Sequence, residues 1–149
     1  NKFKNLPHRQ EIVVSNKKIL CINDSKATTF DASLQSLLNY DKIYWILGGL
    51  PKYKDRFNLK KVYKKIIKAY IIGKNSSFFV KQINKKISYT VSKNLKNAIQ
   101  NIYNDIKNNK VPQSTILFSP AAASFDQFNS FEERGNSFKN LVVKKFKNI

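Results

Sequence analysis

The sequence predicts an α/β domain: a mostly parallel, Rossmann-like sheet flanked by helices and entered through an N-terminal antiparallel hairpin. Three observations predict it. Short apolar runs ended by polar turns alternate with segments of helical periodicity. Two of those runs, 42–49 and 66–73, are apolar almost throughout, which suits strands covered on both faces. The length, 149 residues with 42% hydrophobic content, suits one domain, residues 1–149, with a substantial core.

Taken in order, "EIVVSNKKILCIND" predicts strands over 11–14 and 18–22, joined by a tight turn at Ser15-Asn16-Lys17. A helix follows over 29–39, with Leu34, Leu37 and Leu38 expected on its buried face. "KIYWILGG" is the next strand, closed by glycines. A short helix is expected over 59–65, a buried strand over 66–73, and a short helix to Gln82 capped by Asn75 or Ser76. "KISYTV" predicts a strand. Ser92 is expected to cap a helix to about Lys107, with Leu95, Ala98, Ile99, Ile102 and Ile106 at helical spacing. "STILFS" is the last strand, and the final helix covers 131–146.

The net charge of +19 raises a nucleic-acid partner as a competing function. Its distribution argues otherwise, because lysine is scattered over nearly every segment and arginine occurs only at Arg9, Arg56 and Arg134. Lys, Asn and Ile are all coded by A/T-rich triplets, so coding bias accounts for the composition. The single Cys21 excludes a disulfide framework or a multi-thiolate zinc site and lies in an apolar strand pattern, where a buried inert thiol is expected. No run approaches the roughly 20 apolar residues of a membrane span. A cytoplasmic monomer without a membrane partner is expected. The chain has no methionine, so the expectation is a piece of a longer protein.

In such sheets ligands collect beyond the carboxyl ends of the strands. Three polar clusters fall there: "NDSKAT" after Ile22, "GGLPKYKD" after Leu47 and "SPAAASFDQF" after Phe118. The first offers the charge of Lys26, the hydroxyl of Thr28 and free amides at a helix start, all suited to an anion. Ordinary capping by Asp24, Ser25 or Thr28 explains part of that run. The second offers Lys52 but is not a Walker A loop. In the third, Pro120 and three alanines keep the backbone unobstructed, Ser124 presents a hydroxyl, and Phe125, Phe128 and Phe131 form apolar walls. Ser124 has no partner for nucleophilic catalysis. The lone His8 sits before the first strand, where a surface role is the default, and no Asp/Glu/His cluster has metal-ligand spacing.

"LPHR", "NDSKAT", "GG..K" and "SPAAASFDQFNSFEERGNSF", in this order and at these separations, resemble the C-terminal domain of the Mur ligases, specifically the members that add D-glutamate. The resemblance runs from Leu6 to Phe138, with 57–113 alike only in element order. It implies an ATP-dependent ligase of peptidoglycan synthesis that activates the carboxylate of UDP-N-acetylmuramoyl-L-alanine as an acyl phosphate for attack by D-glutamate. It also implies that UDP-binding and ATPase domains lie upstream. Those would bind most of the ATP and the Mg2+, leaving no metal site here and an isolated domain that is inactive. The resemblance further implies that His8 and Arg9 lie near the nucleotide, Asp24 at its ribose and Lys26 near the reacting groups. Thr28, Lys52, Ser124 and the Phe131 backbone then hold the D-glutamate carboxylates, with Phe125 a further backbone contact. Two departures stand out: Leu50-Pro51 in the "GG..K" loop, and Ala122 where the family carries cysteine. Another amino-acid-adding Mur ligase is the nearest alternative.

Overall fold

The computed structural model describes residues 6–149. Six strands form one sheet in the order β1-β2-β6-β3-β4-β5. They are β1 (Glu11–Ser15), β2 (Ile19–Asn23), β3 (Ile43–Gly48), β4 (Ile66–Ile72), β5 (Tyr89–Lys93) and β6 (Ser114–Phe118). Only β1 runs antiparallel, against β2; every other neighbouring pair is parallel. The predicted turn between β1 and β2 forms because the Asn16 side-chain oxygen accepts from the N–H groups of Lys18 and Ile19.

Alternation along each strand explains why the central ones read as unbroken apolar runs. In β3, Ile43, Trp45 and Leu47 face one core, while Tyr44 and Ile46 face the other. Helices α1 (Phe30–Asn39) and α2 (Ser76–Ile83) cover the first face through Phe30, Leu37, Phe79 and Ile83. Helices α3 (Leu95–Asn108) and α4 (Phe131–Phe146) cover the second through Ala98, Ile102, Phe138 and Phe146. A strand with helices on both sides has no face to leave polar.

Several local expectations need correction. Residues 59–65 form a hydrogen-bonded turn and a 3-10 segment at Tyr63–Lys65 rather than a helix. Only Leu59 and Val62 are buried there, too little apolar surface to hold a full helix on the sheet. The strand expected at "KISYTV" begins later, at Tyr89. Ser92 lies within it and donates its hydroxyl to Asn101, so Asn94 caps α3 instead, accepting from the Asn97 N–H. Ile106 is only half-buried, at the end of the α3 face. Asn75 stands at the N-cap of α2 without a side-chain capping bond, because its amide donates to the Gly49 carbonyl. In α1 the buried face is Phe30, Ser33, Ser36 and Leu37, while Leu38 is 38% exposed. Two serines replace leucine on that face because they find buried acceptors, described below.

The carboxyl ends of β2, β6 and β3 lie side by side, since Asn23 pairs with Phe118 and Phe118 with Ile46. The three polar clusters of the sequence therefore emerge on one edge of the sheet.

Candidate functional site

Main-chain bonds lock the three loops together. The Asp24 N–H donates to the Phe118 carbonyl and the Gly48 N–H to the Pro120 carbonyl, at 2.8 and 2.9 Å. Leu50 and Ala123 exchange two backbone bonds, at 2.9 and 2.8 Å. That close approach needs a glycine before Leu50: Gly49 has φ +137, and a Cβ there would collide with the Ala123 carbonyl. The "LPHR" segment joins through the Lys26 N–H, which donates to the His8 carbonyl at 2.9 Å.

The "NDSKAT" turn divides into a buried half and an exposed half. Asn23, Asp24 and Ser25 are buried, while Lys26 and Thr28 are exposed. Asp24 accepts from the Ser36 and Ser119 hydroxyls and from the Gln10 N–H, at 2.5, 2.7 and 3.1 Å. Burial pushes its carboxyl above the usual carboxylate range, and these donors and Arg9 oppose that rise. The Ser33 hydroxyl and the Trp45 indole N–H both donate to the Ser119 carbonyl, at 3.2 and 2.8 Å. Ser33 and Ser36 thus bind the turn and the end of β6 rather than filling apolar space.

The start of α1 was expected to leave amides for an anion. Instead Thr29, not Thr28, caps the helix by accepting from Ala32, and Asp55 accepts from the Phe30 N–H at 2.9 Å. A carboxylate of the protein already occupies the positive end of that helix. The same bond ties the loop that carries Lys52 to α1.

His8 is 7% exposed, which corrects the surface role expected of it. Its Nδ1 accepts from the Asn23 amide at 2.9 Å, and its ring meets Phe131 edge-on with 6.0 Å between centroids. Gly135 makes room for it, since a Cβ on Gly135 would overlap the imidazole. Asn23 also donates to Glu11, which accepts from the Lys139 ammonium at 3.0 Å.

Arg9 and Lys26 share a cavity of about 260 Å³ with Gln10, Asp24 and residues of α1. Thr28, Lys52, Ser124, Phe125 and Phe131 do not line it; they belong to the loops beside it and to the start of α4. Thr28 and Lys52 are exposed. Ser124 is 2% exposed, and its carbonyl accepts from Gln127 and Phe128. Phe125 is 69% exposed and forms no wall, because the turn at 124–128 directs it outward, whereas Phe128 packs into the second core. Phe131 opens α4, so its N–H has no intrahelical acceptor, while its carbonyl accepts from the Ser25 hydroxyl at 2.7 Å. The Lys26 ammonium stands 5.9 Å from the centre of the Phe131 ring.

Residue-by-residue reading gave Ser25 only a capping role and missed other groups beneath this surface: Ser36, Asp55, Ser119 and Arg134. Arg134 is 1% exposed and donates through Nε and Nη2 to the hydroxyl and carbonyl of Ser25, at 3.0 and 2.6 Å. One signal pointed to it. In a chain where lysine carries nearly every positive charge, a retained arginine suggests a site needing a fork of donors.

No protein-family model matches the chain. Curated relatives do. Over 141 residues it is 38% identical to a UDP-N-acetylmuramoylalanine–D-glutamate ligase of Rhizobium etli, a match covering 95% of this chain and 30% of that protein. Ligases of the same name from Chelativorans sp. and Brucella abortus are 40% and 37% identical, over 94% and 95% of this chain and 30% of each protein. The chain is homologous to the C-terminal portion of the D-glutamate-adding Mur ligases. It spans about a third of the length of these relatives. Among solved structures, a bifunctional folylpolyglutamate synthase/dihydrofolate synthase from Yersinia pestis, complexed with AMPPNP and a Mn ion, shares the fold. Its TM-score is 0.53 at 14% identity, over 92% of this chain and 32% of that one.

Against a Mur ligase's nucleotide and metal, the donor set divides. Arg9 and Lys26, beside the Asp24 cavity, fit the phosphates of a nucleotide. Among the described residues no group of three or more His, Cys, Asp or Glu could hold a metal ion. Nor is any helix among them long and apolar enough to cross a membrane.

Proposed function

We propose that residues 1–149 form the amino-acid-binding domain of a D-glutamate-adding Mur ligase. The full-length enzyme joins D-glutamate to UDP-N-acetylmuramoyl-L-alanine, using ATP and Mg2+ held mainly by upstream domains. The observation that carries this reading is the convergence of three loops on one sheet edge, with Lys26, Thr28, Lys52, Ser124 and the α4 amino terminus brought to it.

D-glutamate brings two carboxylates and an amine. Lys52, the Thr28 and Ser124 hydroxyls and the amides at Phe131 and Phe125 supply the positive charge and donors those carboxylates need. Arg9 and Lys26, with Asp24 and His8 beneath them, form the nucleotide side, where Lys26 neutralises charge on the reacting phosphate and carboxylate groups. ATP supplies the phosphoryl group for the acyl phosphate. The work of this domain is then to hold the amine in line with it, chiefly a matter of position and charge. The reading places the enzyme in the cytoplasm as a monomer, without a nucleic-acid or membrane partner, and leaves the isolated domain inactive.

The test is a full-length ligase containing these residues, assayed for phosphate release with UDP-N-acetylmuramoyl-L-alanine, ATP and a panel of amino acids. Release with D-glutamate is expected; release only with another amino acid would assign the domain to a different Mur ligase. Lys52→Ala and Ser124→Ala should raise the KM for D-glutamate about tenfold or more, the loss of one charge-assisted contact, and leave the KM for ATP within about twofold.

A further inference from the structure

We infer that Arg134 is a positioning residue, whose guanidinium sets the mutual placement of the three site loops and so the fit of the amino-acid substrate. The inference rests on the proposed function for its substrate readout, but its geometry stands apart from it.

Arg134 lies in the first turn of α4 with its side chain turned into the protein. Nε and Nη2 grip Ser25 at its hydroxyl and carbonyl, and the same hydroxyl donates onward to the Phe131 carbonyl. Ser25 is bound at its N–H as well, by the Asn23 side-chain carbonyl. The residue directly before Lys26 is therefore clamped to the amino terminus of α4. The guanidinium also lies 5.8 Å from the centre of the Phe118 ring, at the end of β6. Its Nη1 has no hydrogen-bond partner among the described residues and stands in the corner made by Gly49 and Ala122, 3.4 Å from where a Gly49 Cβ would be. One planar cation thus touches the β2 loop and α4 and borders the β3 and β6 loops.

Burying a guanidinium without an ion-pair partner is costly. Burial lowers its pKa to about 10, opposed only by the charge of Asp126, so it is still a cation at neutral pH. A purely structural contact at this place could be made by apolar packing. A planar fork of donors is needed to hold a hydroxyl and a carbonyl of one residue in fixed geometry. Lysine keeps the charge and loses the fork. A displacement of about 1 Å in the residues that orient a substrate can cost on the order of 100-fold in rate.

The experiment compares Arg134→Lys, Arg134→Gln and Ser25→Ala in the full-length ligase. Near-ultraviolet circular dichroism and thermal melting establish which variants fold. Arg134→Lys is expected to raise the KM for D-glutamate tenfold or more with the KM for ATP within about twofold, and Arg134→Gln to raise it further. Ser25→Ala should add less than twofold in the Arg134→Gln background, because both act through one contact. Hydrogen exchange gives a readout free of substrate: amides of 25–28 and 131–133 should exchange at least tenfold faster in Arg134→Lys. A folded Arg134→Lys enzyme with unchanged exchange and unchanged KM overturns the inference, as does an equal rise in both KM values. If Arg134→Gln does not fold, Arg134→Lys and Ser25→Ala carry the same decision. An unmutated enzyme that does not use D-glutamate sinks the proposed function alone, and the exchange measurement still decides the role of Arg134.

Discussion

Two halves of one turn behave as different materials. Asn23, Asp24 and Ser25 are buried, and each spends its side chain on partners far away in sequence: His8 and Glu11, Ser119, and Phe131 and Arg134. Lys26 and Thr28, one and three residues further on, are exposed, with the Lys26 ammonium 5.9 Å from the centre of the Phe131 ring. The same division recurs in the loop after β3, where Asp55 caps α1 while Lys52, in the same turn, reaches solvent. The lesson is that a site of this kind is built as two layers. A buried polar layer fixes the backbone, and a thin outer layer stays available to a ligand.

That contrast can be broken from below most easily. Phe118 is fully buried beneath the guanidinium and against Phe138. Phe118→Ala should cost about 3–5 kcal/mol in chemical denaturation, combining lost burial with a residual cavity. Asp24→Ala comes next. It removes the acceptor of the Ser36 hydroxyl and the Gln10 N–H and leaves the Ser119 hydroxyl with Ser33 alone, and should cost about 1–3 kcal/mol in the same measurement. A loss below about 0.5 kcal/mol would mean that these groups find other partners and that the lower layer is not rigid.

Adjacent threonines sharpen the comparison. Thr29→Ala removes the α1 cap and should cost about 1 kcal/mol. Thr28→Ala, in the outer layer, should stay within about 0.5 kcal/mol of the unmutated protein. Equal losses would erase the distinction between the layers.

The smallest effect concerns pH. Burial raises the Glu11 carboxyl, but the Lys139 ammonium and the His8 and Asn23 donors outweigh it and hold the group below its ordinary 4.5. A lowered folded-state pKa gives stability that is present above the unfolded value and lost as pH falls through the folded one. The difference in stability between the unmutated chain and Glu11→Gln should therefore shrink between about pH 5 and pH 3. It starts from no more than about 1 kcal/mol, because the pair is partly exposed and screened.

Much of the fold was legible because periodicity reports burial. The unbroken run 43–48 and the stripe Leu95, Ala98, Ile99, Ile102 declare strands and a helix before any contact is known. The segment 59–65 misled because two lysine pairs flanking apolar residues look like a solvated helix face, yet only Leu59 and Val62 reach the core. Serine in α1 misled in the opposite sense. Ser33 and Ser36 look like exposed positions until the acceptors at Ser119 and Asp24 are brought to them. In the site, Lys26, Thr28, Lys52 and Ser124 could be singled out by residue type after a strand, whereas Asp55 and Ser119 could not.

By itself the sequence determined the order of strands and helices, the hairpin, the three polar clusters and their likeness to a Mur ligase C-terminal portion. These follow from local pattern, which a chain carries without folding. Only the tertiary structure decided that His8 is buried against α4, that a protein carboxylate fills the amino terminus of α1, and that Arg134 stands beneath all three loops. Each of these depends on groups tens of residues apart meeting in a low-dielectric interior, where an unsatisfied polar group is too costly to leave and its partner is set by the fold rather than by its neighbours in the chain.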